Sequence, residues 1–130
     1  DILLHLEDLG FKNKKVSLLG FSQGAILTWS LGIEYRYLIK KILPLSGFYH
    51  SEITNSNSNS NSNSNSNSKF KLECFSSHGI HDPVIPISWA RKGIEYLKKD
   101  NISILFREYE SGHEINNKNL RDIIKWLNKN

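Results

Sequence analysis

Apolar and polar positions along the chain alternate between a helical and an extended rhythm. Ile2, Leu3, Leu6 and Leu9 recur at helical spacing, and Gly10 stands where a C-cap belongs, so an opening helix is predicted. Lys15 to Leu19 is an apolar run of strand length. Ala25 to Leu31 opens a segment that is apolar nearly all round (Ile26, Leu27, Trp29, Leu31), as expected of a helix packed on a sheet on one side and on protein elsewhere. Lys40 to Ser46 reads as a second strand, although Pro44 within it cannot donate to a ladder. In a parallel strand that removes one bond to one neighbour. Phe70, Leu72 and Cys74 alternate with Lys71 and Glu73 as a third strand. Ser88 stands as the cap of a helix with Trp89, Ala90, Ile94 and Leu97 on one side. Ile102, Ile104 and Phe106 mark a fourth strand ending near Tyr109, and Leu120, Ile123, Ile124 and Leu127 a closing amphipathic helix. Strands separated by helices of this length predict right-handed crossovers and a mostly parallel α/β sheet.

One segment breaks the alternation. Residues 55–68 are seven Asn-Ser repeats, which can bury no apolar surface and are expected to form a disordered surface loop. By the logarithmic closure law, lengthening a connection in this way costs on the order of 1 kcal/mol. The strand and helix signals on both sides belong to one pattern, so residues 1–130 read as a single domain interrupted by an insert rather than as two domains.

Composition narrows the partners. The net charge is +4, but Lys and Arg are scattered among acids (Glu34/Arg36, Arg91/Glu95, Arg107/Glu108), with no basic block interleaved with aromatics, so nucleic acid is a poor partner. A single cysteine, Cys74, excludes an intrachain disulfide and suits a reducing, cytoplasmic compartment; its place in a strand makes it a small core residue. No apolar run approaches the length of a membrane span. The chain has no methionine and starts at Asp1 within a helical pattern, which predicts a fragment or an incomplete gene model.

The candidate chemistry begins at Gly20-Phe21-Ser22-Gln23-Gly24, between a predicted strand and a predicted helix. Gly-x-Ser-x-Gly in that setting is a nucleophile elbow, a turn tight enough to strain the serine backbone and lift its hydroxyl clear of the sheet. A Cβ on either flanking glycine is expected to collide with the neighbouring strand or helix. The backbone N–H of Gln23 would point at the oxygen under attack. A serine hydroxyl needs a base to take its proton and a carboxylate to orient that base. In a parallel α/β sheet such groups gather at the carboxyl ends of strands. The third strand leads into His78-Gly79-Ile80-His81-Asp82-Pro83-Val84-Ile85-Pro86, the fourth into Glu110-Ser111-Gly112-His113-Glu114-Ile115. The order serine, acid, histidine is that of α/β-hydrolases. Each residue has a plainer reading: Asp82 before Pro83 as a turn opener, His113 as a loop histidine, His78 as the maker of a local structural hydrogen bond. His81 adjoins Asp82 with a diverging side chain, and Glu110 and Glu114 lie too close to His113 in sequence to rival Asp82. His5 and His50 have no partner pattern, and the proline-rich turn lacks the helical spacing of a metal site.

The three blocks Gly20–Gly24, His78-Gly79-x-x-Asp82-Pro83-Val84-Ile85-Pro86 and Gly112-His113-Glu114-Ile115 resemble the phospholipase/carboxylesterase family, which includes acyl-protein thioesterases and lysophospholipase-like carboxylesterases. Gln23 directly after the serine is typical of it; Ala25, where a further glycine is common, is a mild departure. The resemblance implies the C-terminal half of an α/β-hydrolase fold, with Ser22 as nucleophile, Asp82 as acid, His113 as base and Gln23 N–H as one oxyanion donor. It implies an acyl ester or thioester substrate, lipid or lipidated protein, and no metal or cofactor. The early strands of the family, and the His-Gly loop that supplies a second oxyanion donor, have no counterpart here. Removing one oxyanion donor typically costs roughly 10²–10³ in turnover, so the chain alone is expected to be feebly active or inactive and the complete gene product an esterase. Two rivals stand beside this reading: a prolyl-peptidase- or dienelactone-hydrolase-like enzyme, against which Gln23 argues, and a non-catalytic remnant that binds acyl groups or a partner.

Overall fold

The computed structural model describes residues 16–50 and 70–129. The opening helix, Lys15 and the Asn-Ser repeat lie outside these residues. Seven elements follow one another: β1 (Val16–Phe21), α1 (Gln23–Glu34), β2 (Ile39–Leu45), β3 (Leu72–Gly79), α2 (Ile87–Leu97), β4 (Ile102–Tyr109) and α3 (Asn117–Asn128). The strands form one sheet in the order β1-β2-β3-β4, every pair parallel. The expected α/β class and parallel sheet are therefore observed.

Two apolar layers hold the helices to the sheet. On one face Trp29 and Ile33 of α1 and Leu97 of α2 pack with Ile39, Ile42, Leu72 and Cys74. On the other, Ile123 and Trp126 of α3 pack with Leu43, Leu45 and Phe75. The central strands carry these layers: from Ile42 to Leu45 and from Cys74 to Gly79 every residue is buried. Burial of this kind is worth roughly 1.5–3 kcal/mol for each large aliphatic side chain. Cys74 is a core residue, and burial pushes its thiol well above the usual range. Pro44 is accommodated as the parallel geometry allows. It pairs with Gly20 of β1, while the β2–β3 ladder is interrupted between Ile42↔Cys74 and Leu45↔Ser77. There Ser76 Oγ donates to the Pro44 carbonyl at 2.8 Å, so the acceptor in the gap is used.

Expectations about one helix cap and three helix faces are corrected. Ser88 does not cap α2: the helix starts at Ile87 directly after Pro86, with no side-chain cap. Proline suits that place because it has no N–H to satisfy and its φ is already fixed. Trp89 is half exposed, and the buried face of α2 is Ala90, Gly93 and Leu97. In α3 the buried face is Asn119, Ile123 and Trp126, whereas Leu120, Ile124 and Leu127 form an exposed stripe. Asn119 is drawn inward because its amide donates to Ser77 Oγ at 3.0 Å while its own N–H is capped by Asn116 Oδ1 at 2.8 Å. On α1, Leu27 and Leu31 are likewise exposed, so that helix is covered on fewer sides than its composition predicts.

Candidate active site

β1 ends at Phe21 and α1 begins at Gln23, leaving Ser22 as the whole connection, with φ 60° and ψ −116°. A non-glycine residue held at positive φ stores on the order of 1–3 kcal/mol. The fold opposes that strain by hydrogen bonds: Ser22 N–H donates to the Leu45 carbonyl at 2.9 Å, and the Ser22 carbonyl accepts from Ala25 N–H at 2.9 Å. The turn needs Gly20, where a Cβ would sit 2.1 Å from the Gly24 carbonyl oxygen and 2.4 Å from Thr28 Oγ1. Gly24 itself does not match the expectation: no described atom lies within 4 Å of a Cβ placed there. Its near side is already taken up by the approach of its own carbonyl to Gly20, and its far side meets nothing. Gln23 occupies the first turn of α1, where helix geometry leaves a backbone N–H without a carbonyl partner.

The acid and the imidazole come from the opposite half of the sheet. After β3 the chain turns back on Asp82, whose Oδ1 accepts the N–H groups of Val84 at 2.8 Å and Ile85 at 2.9 Å. After β4, Gly112 leads into His113. The two loops are clasped by His81 N–H on the Ser111 carbonyl at 3.0 Å and by Ile80 N–H on the Tyr109 carbonyl at 2.8 Å. Their approach is closest at Gly79, where a Cβ would fall 2.1 Å from the Gly112 carbonyl oxygen. An exposed His81–Glu110 pair at 3.0 Å lies at the rim of the clasp, which gives His81 a partner other than Asp82.

The three side chains meet. His113 Nδ1 lies 2.7 Å from Asp82 Oδ2, and His113 Nε2 lies 2.9 Å from Ser22 Oγ. Burial of Asp82 works to raise its pKa, but the hydrogen bonds from His113, Ile85 and Val84, with the charge of His113, hold the carboxyl below its ordinary value. The acid is thus kept as an acceptor, which sets the proton of His113 on Nδ1 and leaves Nε2 free to accept from the serine. A hydroxyl on an imidazole held by a carboxylate is the arrangement that removes the hydroxyl proton.

Two contributors escape a reading of the sequence. Phe21 sits over His113 with ring centroids 4.9 Å apart, yet in the motif it is only the unspecified position before the serine. Gly79 stands in the sequence only as part of the His78 to Pro86 block, and its close approach to Gly112 depends on a loop more than thirty residues downstream. A cavity of about 530 Å³ begins one residue beyond Gly47, which packs against the Ser22 carbonyl. Phe48, Tyr49, His50, Trp89, Lys92 and Tyr96 wall it. Among the described residues no group of three or more His, Cys, Asp or Glu is disposed to hold a metal ion, and no helix is long and apolar enough to cross a membrane.

A parallel sheet with a strained serine between strand and helix, and with an acid and a histidine at later strand ends, is an α/β-hydrolase fold. The family model described as phospholipase/carboxylesterase matches residues 2–130, and the chain belongs to that family. Among solved structures it is similar to SOBER1 of Arabidopsis thaliana, with 26% identity, TM-score 0.73 and coverage of 97% of this chain and 58% of that one. Acyl-protein thioesterase 2 of Zea mays shares the fold at 20% identity and TM-score 0.73, with 96% of this chain and 61% of that one covered. The Bacillus cereus carboxylesterase shares it at 15% identity and TM-score 0.75, with 98% and 56% covered. The chain therefore spans somewhat under two thirds of the length of these structures.

Proposed function

We propose that this polypeptide is the part of a serine hydrolase that carries the nucleophile, the base and the acid, and that it cleaves carboxylic esters or thioesters through an acyl-enzyme. One observation carries the reading: the unbroken relay from Ser22 Oγ through His113 to Asp82, with steps of 2.9 and 2.7 Å. Ser22 Oγ attacks the acyl carbonyl as His113 Nε2 takes its proton. The tetrahedral oxyanion is met by Gln23 N–H. When it collapses, the proton on Nε2 passes to the departing alkoxide or thiolate, leaving the acyl group on Ser22. Water then repeats the cycle, giving its proton to Nε2, and the released Ser22 Oγ recovers it. Asp82 keeps the proton of His113 on Nδ1 and stabilises the imidazolium that forms in each half.

The substrate class follows from the surroundings. The aromatic cavity walled by Phe48, Trp89 and Tyr96 suits an apolar group, and a lipid or lipidated protein is the proposed substrate, in keeping with the thioesterase and carboxylesterase names of the similar structures. The single buried thiol of Cys74 fits a reducing cytoplasm. The relay tells against a remnant without catalysis, since drift would have no reason to keep three distant side chains within hydrogen-bond reach. A fluorophosphonate probe tests the reading. Ser22 is expected to be labelled, at whatever rate one oxyanion donor allows, and Ser22→Ala to abolish labelling with its melting temperature unchanged. Labelling that persists in Ser22→Ala, or that never reaches Ser22 in the folded parent, overturns it.

A further inference from the structure

Asp82 has a second histidine against it. His78, at the end of β3, has no exposed side-chain surface, and neither has Asp82. Its Nε2 lies 2.8 Å from the Ile85 carbonyl oxygen and 3.4 Å from Asp82 Oδ2, the oxygen that also receives His113 Nδ1. A carbonyl can only accept, so Nε2 must carry the proton and donates it to Ile85, with the Asp82 oxygen within ion-pair distance of the same nitrogen. Nδ1 of the same ring is buried with no partner among the described residues. A ring kept merely to fill space would be served by an apolar side chain, which would bury no orphaned nitrogen.

We propose that His78 is a positioning residue for the acid of the relay, its Nε2–H anchoring the Ile85 carbonyl while the ring lies against Asp82 Oδ2. Oδ1 is pinned by the backbone of Val84 and Ile85, so His78 and His113 together settle the rotation of the other oxygen. The N–H dipole so near Oδ2 also moderates the field that the carboxylate exerts on His113. The remaining charged neighbour of His78 is Glu108, its register partner on β4, and that carboxylate is occupied by Arg91 of α2 through two hydrogen bonds of 2.8 Å. From α3, the neutral Asn119 reaches Ser77 next to His78, and Asp122 is taken up by the Tyr109 hydroxyl at 2.7 Å.

The proposal rests on the relay read above, but its test needs no turnover. In the full chain labelled with ¹⁵N-histidine, His78 is expected as the Nε2–H tautomer across the range in which His113 titrates. His78→Leu removes the N–H dipole beside Asp82, makes the carboxylate a stronger partner for an imidazolium and is expected to move the His113 titration midpoint up by about half a pH unit. His78→Gln, whose amide can donate from a similar place, is expected to keep the parent midpoint. An unchanged midpoint in a folded His78→Leu, whatever its melting temperature, overturns the proposal and leaves a purely structural ring. Should that variant fail to fold, the parent tautomer decides, since a proton on Nδ1 overturns the proposal as well. Loss of Ser22 labelling in the parent is a separate outcome, which removes the hydrolase reading and not the His78–Asp82 contact.

Discussion

The two halves of the candidate site are built to different standards of support. Asp82 and His113 hang from β3 and β4, whose strands share eight register pairs and whose loops are hydrogen-bonded to each other. The carboxylate is buried and every oxygen of it is occupied. Ser22 stands at the end of β1, which has one strand partner among the described residues and turns Leu19 and Phe21, 57% and 40% exposed, away from the core. The acid–base half needs stiffness, because an imidazole that wanders by an ångström loses proton transfer. The nucleophile half owes its position to a single strained residue, fixed by Gly20 on one side and the Leu45 carbonyl on the other.

Breaking the stiff half should have the larger chemical effect. Asp82→Asn is expected to lower kcat by about 10⁴-fold, because an amide in place of the carboxylate favours the wrong tautomer of His113. The same variant alters the acid response of stability. The Asp82 carboxyl is depressed in the folded state, so its contribution is present above the unfolded value of about 3.9 and is lost as pH falls through the folded one. Denaturant titrations through the acid range should therefore fall less steeply for Asp82→Asn than for the parent. Gly79→Ala comes next: its methyl would meet the Gly112 carbonyl and push the loop of His113 away. A loss of roughly 10² in turnover is expected, with a lower melting temperature.

Smaller effects sharpen the comparison from the nucleophile side. Gly20→Ala is expected to destabilise by roughly 1–3 kcal/mol, since backbone and Thr28 occupy the space its methyl needs. Gly24→Ala, in the same motif, should be neutral or stabilising by up to about 1 kcal/mol, read by urea denaturation of the two variants side by side. A similar cost for both would mean that the far side of the elbow is as crowded as the near side. In α3, Ile123→Ala should cost roughly 2–5 kcal/mol and Ile124→Ala about 0.5 kcal/mol or less, two adjacent isoleucines on opposite sides of a boundary.

How much of this was legible in the sequence depended on whether the signal was local. The elbow was, because Gly20 to Gly24 sit between a strand run and a helix run. Asp82 and His113 were legible through the rule that strand ends carry chemistry, and their order along the chain completed the pattern. The buried face of α3 was not. Hydropathy ranks Leu120 above Asn119, but Asn119 is drawn in by Ser77 on a strand forty-two residues away. Helical spacing groups Trp89 with Ala90, Ile94 and Leu97, but it stands half exposed at a cavity wall. Gly79 and Phe21 act through partners on other connections, and His78 makes the local hydrogen bond expected of it, to Ile85, while its contact with Asp82 shows only in the folded chain. In each case the deciding contact was one that only the folded chain brings together.

The relay also has a bearing on how the molecule assembles. Ser22 and His113 are separated by 91 residues and follow the two edge strands of the described sheet, β1 and β4. Their hydrogen bond cannot precede the stacking of all four strands in register, and closing so long a span is slow compared with local helix formation. On the proposed reading, reactivity at Ser22 is a late arrival during refolding, and the pace at which a probe captures that oxygen would serve as a clock for the final consolidation of the sheet.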